Sequence, residues 1–260
     1  MPIDRRAVLA GIAASAISPM PAEPAPTPNT FLELKTWKLH NSAENQPARV
    51  ADFLQNGLAP ALERAGAKLA GAFANVIGED GPYYVTLSEF SSLDSFQKTL
   101  DGFVSDKAYL AAADRLSSGT GLPFMRVESS ILRSFDVFPR AAVGKGEHGP
   151  RVFELRRYES QSLSALRRKV AMFNEGEAKI FMRLGFRPIF FGETIAGPKQ
   201  PNLHYMLSYD SLAEHDKLWT SFGSDPAWQQ LRSQPGLSDP EIVANISNVI
   251  LRPLPFSDTQ

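Results

Sequence analysis

The sequence repeats part of itself at an almost constant spacing, and this repeat constrains the fold more than any other feature. The stretch Asn202–Leu218 has the same layout as Pro82–Lys98, about 119 residues earlier: an apolar strand, a Ser/Asp helix start and an amphipathic helix. Further matches are Tyr209 over Phe90, Leu212 over Leu93, Phe222–Trp228 over Phe103–Tyr109, Val249–Arg252 over Ser130–Arg133, and, at a spacing of 121, Glu154–Arg156 over Glu33–Lys35. Several stretches that recur in the same order and at nearly the same spacing predict a duplicated domain.

Length, charge and cysteine content narrow the possible classes of protein. At 260 residues the chain accommodates two domains of ordinary size. A net charge of −1 provides no field that would attract nucleic acid or an anionic membrane, so neither partner is expected. The sequence contains no cysteine, which excludes disulfides, thiol nucleophiles and cysteine-based metal or iron–sulfur sites.

Residues 1–30 have the pattern of an export signal followed by a tether. Arg5 and Arg6 precede an apolar run, Ala7–Ile17, that is too short to span a membrane. The arginine pair with its following apolar residues resembles the twin-arginine signal. Residues 21–30 are rich in proline and predict a stiff, extended tether. We expect a periplasmic or otherwise exported protein with no membrane span in its mature form; the alternative is a cytosolic N-terminus with an incidental arginine pair.

Hydrophobic periodicity predicts the same order of elements in both halves, β-α-β-β-α-β. Alternating or continuous apolar runs predict eight strands: Phe31–Leu39, Leu69–Ile77, Tyr83–Phe90, Met125–Phe135, Val152–Tyr158, Phe186–Ile195, Leu203–Tyr209 and Ile242–Leu251. Helical spacing predicts four helical regions: residues 47–64, Leu93–Leu116 with a break near Asp106, Leu163–Leu184, and Leu212–Leu231, which is also broken. The units are residues 31–137 and 151–256, joined by a Gly/Pro-rich linker at 138–150.

This element order is ferredoxin-like: an antiparallel four-stranded sheet with both helices on one face. The uncovered face of each sheet must bury itself against another apolar surface, and the other half of the chain supplies one. The sequence therefore predicts an α+β fold in which two tandem ferredoxin-like β-α-β-β-α-β units pack their antiparallel sheets as an α+β barrel.

The second half resembles the NIPSNAP family, within the dimeric α+β-barrel group. The resemblance rests on Phe153–Tyr158 in the first strand, Phe191–Glu193 at a strand end, the strand-to-helix block Tyr205–Leu212, and Asp225–Trp228 in the second helix. The family's usual Pro-Gly after the first strand is replaced here by Glu159-Ser160-Gln161-Ser162. The resemblance implies the barrel fold and assigns no reaction or catalytic residue; related barrels bind haem.

Alternation along the first strand of the second half places Glu154, Arg156 and Tyr158 on one face. We expect this polar face to point into the barrel. Two interpretations stay open: the carboxylate and guanidinium satisfy each other, or Arg156 binds an anionic or carbonyl oxygen in a cavity while Tyr158 stacks on the ligand. His204 is a further candidate for the cavity, as a base or haem ligand or simply as a hydrogen-bonded residue of the sheet.

No metalloprotease, phosphate-loop or nucleophile-elbow motif is present, so catalytic residues, metals and cofactors are not predicted; haem stays an option. Two functions remain open. One is an exported barrel, expected to form homo-oligomers, that binds a small apolar or aromatic molecule or a protein partner. The other is a cofactor-free or haem-assisted monooxygenase acting in the barrel cavity.

Overall fold

The computed structural model describes residues 27–41, 43–145 and 151–260. Its eight strands are β1 (Phe31–Lys38), β2 (Lys68–Ile77), β3 (Tyr83–Phe90), β4 (Arg126–Ser134), β5 (Val152–Glu159), β6 (Arg187–Ala196), β7 (Asn202–Tyr209) and β8 (Asn245–Pro253). Its helices are α1 (Gln46–Phe53), α2 (Ala59–Arg64), α3 (Leu93–Phe103), α4 (Lys107–Ser117), α5 (Leu163–Met172), α6 (Ala178–Leu184), α7 (Leu212–Ser224), α8 (Pro226–Arg232) and α9 (Asp239–Ile242).

The eight strands close into one antiparallel barrel in the order β1-β3-β2-β8-β5-β7-β6-β4. Each half contributes four neighbouring strands, and the halves join where β2 pairs with β8 and β4 pairs with β6. Every strand therefore has a neighbour on both sides, and the barrel has no open edge. The predicted α+β fold, with two ferredoxin-like sheets forming a barrel within one chain, is confirmed.

The first helical region of each half contains a π-helical turn that periodicity did not predict. These turns are Leu54–Leu58, between α1 and α2, and Phe173–Glu177, between α5 and α6. A π turn adds one residue to a helical turn without breaking the helix, so an apolar pattern with a period of 3.6 residues hardly registers it. The short helix α9 was also missed, since four residues are too few to show a period.

A glycine in each π turn permits close packing against the second helical region of its half. A Cβ atom added at Gly57 would lie 2.7 Å from Cβ of Ala112, and one added at Gly176 would lie 2.9 Å from Cδ2 of Leu231. Both distances are shorter than real carbon contacts, so a larger residue at Gly57 would push the helices apart, whereas one at Gly176 would displace the Leu231 side chain.

The barrel interior and the space beneath the helices hold separate cores. Inside the barrel, Phe153 contacts Phe73 from the other half, with ring centroids 4.8 Å apart. Tyr158 instead belongs to the core between the sheet and the helices of the second half. The prediction that Glu154, Arg156 and Tyr158 point into the barrel is therefore wrong. Alternation separates two faces of a strand, but both faces of β5 are buried, so polarity did not show which one lies inside.

The end of the barrel at which β1 and β5 begin is covered by the last residues of the chain. The hydroxyl of Thr259, which is fully buried, donates a hydrogen bond of 2.6 Å to the carbonyl of Ala70. Ser257 accepts a hydrogen bond of 3.0 Å from the amide of Ala72. These contacts leave the opposite end, with its hairpins β2–β3 and β6–β7, as the open mouth.

The predicted export signal, including Arg5 and Arg6, lies outside the described residues and stays a prediction. Within the described ranges, no helix has both the length and the apolarity needed to cross a bilayer.

Candidate functional site

A cavity of about 1090 Å³ opens at the hairpin end of the barrel. Its apolar walls come from both halves and include Leu34, Val85, Leu155 and Val249. Charged side chains lie around them: Lys38, Glu79, Asp80, Glu128, Arg157 and Lys199. An apolar space with a few polar groups is the usual form of a small-molecule site.

Two polar residues of the cavity wall, Arg157 and His204, sit directly opposite each other on neighbouring strands. They are register partners on β5 and β7, and both line the cavity. Residues paired across antiparallel strands project to the same side of the sheet and lie within side-chain reach of each other. The barrel therefore presents one cation and one imidazole as a pair.

A chain of hydrogen bonds determines which nitrogen of His204 carries the proton. The Asn202 amide donates to the carbonyls of Pro198 (3.0 Å) and Lys199 (2.7 Å), which orients its oxygen toward Thr194. The Thr194 hydroxyl donates its only proton to that oxygen at 2.6 Å. Its oxygen must then accept from Nδ1 of His204, 3.2 Å away. The neutral tautomer with the proton on Nδ1 follows, and Nε2 keeps a free lone pair.

The His204 imidazole is held in its neutral form. Burial, followed by the nearby positive charge of Arg157, lowers the pKa of His204 to about 3. Among the described residues, no hydrogen bond reaches Nε2. At neutral pH this nitrogen is therefore an acceptor that the protein does not use.

Arg157 keeps unused donors next to this acceptor. Its Nε donates to Glu159 at 3.3 Å and its Nη2 donates to Ser247 at 3.1 Å. Within the described parts of the chain, Nη1 has no hydrogen-bond partner. Sequence reasoning missed Arg157 because it assigned the face of Phe153 and Leu155 to the helices; the same alternation, read with the opposite face inward, would have found it.

The first half has an uncharged version of this pair. Thr36 and Val85, which lie 121 and 119 positions before Arg157 and His204, are also register partners and also line the cavity. The two halves thus have the same geometry with different chemistry, and the polar pair stands on one side of the barrel only.

The sequence-predicted residues Glu154 and Arg156 meet under the helices of the second half, outside the cavity. The Glu154 carboxylate is fully buried and accepts from Arg156 Nη1 (2.6 Å), Asn248 Nδ2 (2.9 Å), Trp219 Nε1 (3.0 Å) and the Tyr209 hydroxyl (3.1 Å). Burial raises the pKa of Glu154, but the Arg156 charge and the hydrogen bond from Asn248 outweigh burial, and the pKa lies below its usual value. The carboxylate is thus ionised and well satisfied.

Three further side chains complete this buried network. The Arg156 guanidinium lies 4.4 Å from the Trp219 ring and 3.4 Å from the Tyr158 hydroxyl, which also accepts from Tyr205 at 2.7 Å. His215 on α7 is half-buried, with Nε2 3.3 Å from Glu154. This arrangement supports the structural interpretation of the Glu154–Arg156 pair.

A second buried ion pair was missed from the sequence. Lys169 Nζ lies 2.7 Å from Glu177, with side chains 1% and 2% exposed. The ammonium also approaches the rings of Phe173, Tyr158 and Trp228 at 5.0–5.4 Å. Charged residues on a helix usually face solvent, so a lysine on α5 and a glutamate in the following π turn gave no sign that they meet in the core.

The described residues include no cluster of side chains suited to a metal ion and one possible ligand for haem. Within residues 27–41, 43–145 and 151–260, no cluster of three or more His, Asp or Glu side chains could hold a metal ion. The free lone pair on Nε2 of His204 has the chemistry needed to ligate a haem iron. If haem bound, His204 would be its protein ligand, and Lys38 and Lys199 are the mouth cations suited to its carboxylates.

Comparison with known proteins identifies the second half and the fold. Residues 153–258 match the NIPSNAP family model, whereas no curated protein matches the chain. A candidate monooxygenase from Fusobacterium nucleatum superposes over 90% of this chain and 95% of its own, with a TM-score of 0.57 and 9% identity. A candidate monooxygenase from Lactobacillus acidophilus covers 86% and 93%, with a TM-score of 0.53 and 11% identity.

An anthrone oxidase-like protein covers 87% of this chain and 92% of its own, with a TM-score of 0.50 and 9% identity. Such low identities show a shared fold and nothing about activity. The second half of the chain is thus similar to the NIPSNAP family over residues 153–258, and the whole chain shares its barrel fold with these solved structures.

Proposed function

We propose that this barrel binds a small molecule with an apolar body, held at its polar end by Arg157 and His204. The observation that carries the proposal is an unused donor beside an unused acceptor in the wall of a cavity of about 1090 Å³. Both atoms border the open cavity, where water or a ligand can reach them. An apolar space of ligand size with a donor and an acceptor placed together in its wall is the usual form of a small-molecule site, which supports a ligand that bonds to both.

The low pKa of His204 favours binding over catalysis by proton abstraction. A general base works best with a pKa near the working pH, whereas His204 has a pKa of about 3. The second candidate, a cofactor-free or haem-assisted monooxygenase, is supported by the free Nε2 lone pair. A Soret band that appears on haem titration and is lost in His204→Gln would favour the haem-assisted form of that candidate.

The test uses the first half of the chain as its template. The double variant Arg157→Thr/His204→Val places the Thr36 and Val85 residue types in the second half, so the barrel should accept it sterically. We expect it to weaken binding of 1-anilinonaphthalene-8-sulfonate, an apolar aromatic anion, at least tenfold in a fluorescence titration, about 1.4 kcal/mol.

Thr36→Val is the matched control, since it changes the same wall in the first half and leaves the donor–acceptor pair intact. Its affinity should stay within about twofold of that of the unmodified protein. Circular dichroism should show that both variants are folded. Equal affinity in the double variant would contradict the proposed site.

We also propose that the two halves arose by duplication of one unit. The π turns, their glycines and the Thr36–Val85 and Arg157–His204 pairs repeat at spacings of 119 to 121 residues, which supports this origin.

A homo-oligomer is still proposed, although the sheet does not need one to be complete, because all its strands are paired within the chain.

Export by the twin-arginine route is proposed on the sequence of residues 1–30 alone. Replacing Arg5 and Arg6 by lysines should leave the precursor in the cytoplasm, because the paired arginines are the feature that resembles the signal. Immunoblots of periplasmic and cytoplasmic fractions measure this. Unchanged periplasmic accumulation would mean that the arginine pair is incidental or that another route carries the protein.

A further inference from the structure

We propose that the ligand of this cavity is a carboxylic acid and that each molecule binds together with one proton, shared between its carboxyl group and Nε2 of His204. The inference rests on the proposed function and adds the chemical class of the ligand. It follows from the geometry of three hydrogen-bonded side chains, Asn202, Thr194 and His204, and from the charges that surround them.

The hydrogen-bond chain leaves His204 unable to donate toward the cavity. Nδ1–H is committed to Thr194, whose own proton is committed to Asn202. Turning the imidazole over, or shifting its proton, would break this chain and leave the buried Thr194 oxygen without its donor. Nε2 therefore faces any ligand as a lone pair.

Arg157 attracts the opposite kind of group. The unpartnered Nη1 of its guanidinium suits a carboxylate, for which charge-assisted hydrogen bonds are the strong ones. Glu159 contacts Arg157 only through Nε, at 3.3 Å. An anionic oxygen drawn to Arg157 would meet the lone pair of His204 on the neighbouring strand, and lone pairs facing each other repel. One added proton between them converts this repulsion into a hydrogen bond.

The other charges of the cavity nearly balance, with the charge of Lys199 offset by that of Glu79, so the preference for an anion rests on Arg157. Its two lysines are Lys38, only 3.8 Å from exposed Asp80, and Lys199, which has no ion-pair partner among the described residues. Glu128 is paired with Arg126 at 2.6 Å. The charged or titratable groups that line the same cavity as His204 are Arg157 on β5, Lys38 on β1, Tyr83 on β3, Glu128 on β4, and Glu79, Asp80 and Lys199 in the turns, and Glu159 on β5 contacts Arg157.

The experiment measures proton uptake by titration calorimetry with 2-naphthoate as the probe. Binding at pH 7 in phosphate and in Tris, whose ionisation enthalpies differ, reports the number of protons taken up. We expect about one proton per naphthoate, because free naphthoate and free His204 are both unprotonated at that pH. Since a proton is a reactant, affinity should fall about tenfold for each unit of pH above 7.

His204→Gln separates this inference from the proposed function. The glutamine amide can donate to a carboxylate directly, so this variant should bind naphthoate with no proton uptake and with affinity independent of pH between 6 and 8. Thr36→Val should retain the proton uptake of the unmodified protein.

Naphthoate binding without proton uptake in the unmodified protein would overturn the inference. Binding of neutral 2-naphthol with no binding of naphthoate would overturn it as well. With either result the proposed site would still hold, provided that Arg157→Thr/His204→Val binds the probe more weakly than the unmodified protein does, whichever probe binds. Affinities for all probes that are insensitive to this double variant would instead remove the proposed function itself.

Discussion

Lys169→Val is expected to destabilise the protein by roughly 3–5 kcal/mol, and adding Glu177→Leu to the same chain is expected to restore the loss. The single change leaves the Glu177 carboxylate buried, with its 2.7 Å partner removed. The double change removes both charges. The resulting residues have a precedent in this chain, because Val50 and Leu58 stand 119 positions earlier in the first half and are buried in its core.

The direction of the Glu177 pKa shift also supports the expected recovery of stability in the double variant. Burial raises the pKa of Glu177 above its usual value even though Lys169 is in contact with it. Its surroundings therefore favour the neutral form, and the ionised pair does not fully recover the cost of desolvation. We expect the double variant to match or exceed the unmodified protein by up to about 4 kcal/mol.

The sign of the pH dependence follows from the same shift. A carboxyl with a raised folded-state pKa contributes stability that is present below its unfolded pKa and is lost as pH rises through the folded value. The advantage of the double variant over the unmodified protein should therefore be largest at neutral pH and shrink as pH falls toward about 4.5, the ordinary value.

Urea denaturation followed by circular dichroism measures these changes. Lys179→Val, an exposed position on α6, is the control and should shift stability by no more than about 0.5 kcal/mol. A double variant that is as unstable as Lys169→Val would mean that the ion pair itself, and not the stranded charge, supports the fold.

Glu154→Ala is expected to cost roughly 3–5 kcal/mol and Arg156→Ala on the order of 3 kcal/mol, with the double variant costing less than the sum. Glu154 is fully buried and is the common acceptor for Arg156, Asn248, Trp219 and Tyr209. Its removal leaves Arg156, whose side chain is only 14% exposed, without its carboxylate.

The matching pair of the first half provides the control. Lys35 and Glu33 are 3.0 Å apart, with side chains 20% and 7% exposed, and Glu33 otherwise accepts from Ser129. This pair has fewer hydrogen-bond partners and is more exposed to water. Glu33→Ala should therefore destabilise the protein clearly less than Glu154→Ala. Costs of equal size would show that the aromatic donors around Glu154 add nothing.

The stability contributed by the Glu154 network should be lost at acidic pH. The pKa of Glu154 lies below its usual value despite burial, because the Arg156 charge and the hydrogen bond from Asn248 favour the charged form. Its contribution is therefore present above the unfolded pKa and is lost as pH falls through the folded one. The difference in stability between the unmodified protein and Glu154→Gln should shrink as pH falls below about 4.5.

Local periodicity was sufficient to predict most of the elements. The strand Tyr83–Phe90 agrees with the prediction at both ends, and the helical region Leu212–Leu231 is broken as predicted, at the point where Asp225 caps α8 through the amides of Ala227 and Trp228. A period of two and a capping aspartate act within a few residues, so the sequence carries them directly. The π turns escaped because one extra residue hardly alters a helical period, and the close contacts of Gly57 and Gly176 are with helices more than fifty residues away.

The sequence by itself determined that the chain builds two similar units, and that Glu154, Arg156 and Tyr158 share one face of a strand. Only the tertiary structure decided which face is the inside of the barrel. β5 is buried on both sides, and what selects its orientation is the set of partners supplied by other elements: Trp219 from α7 and Tyr209 from β7 satisfy Glu154 under the helices, while Phe73 from the other half receives Phe153 inside. The same choice turned Arg157 toward His204, because a strand that sends its even-numbered residues to the helices must send its odd-numbered ones to the cavity.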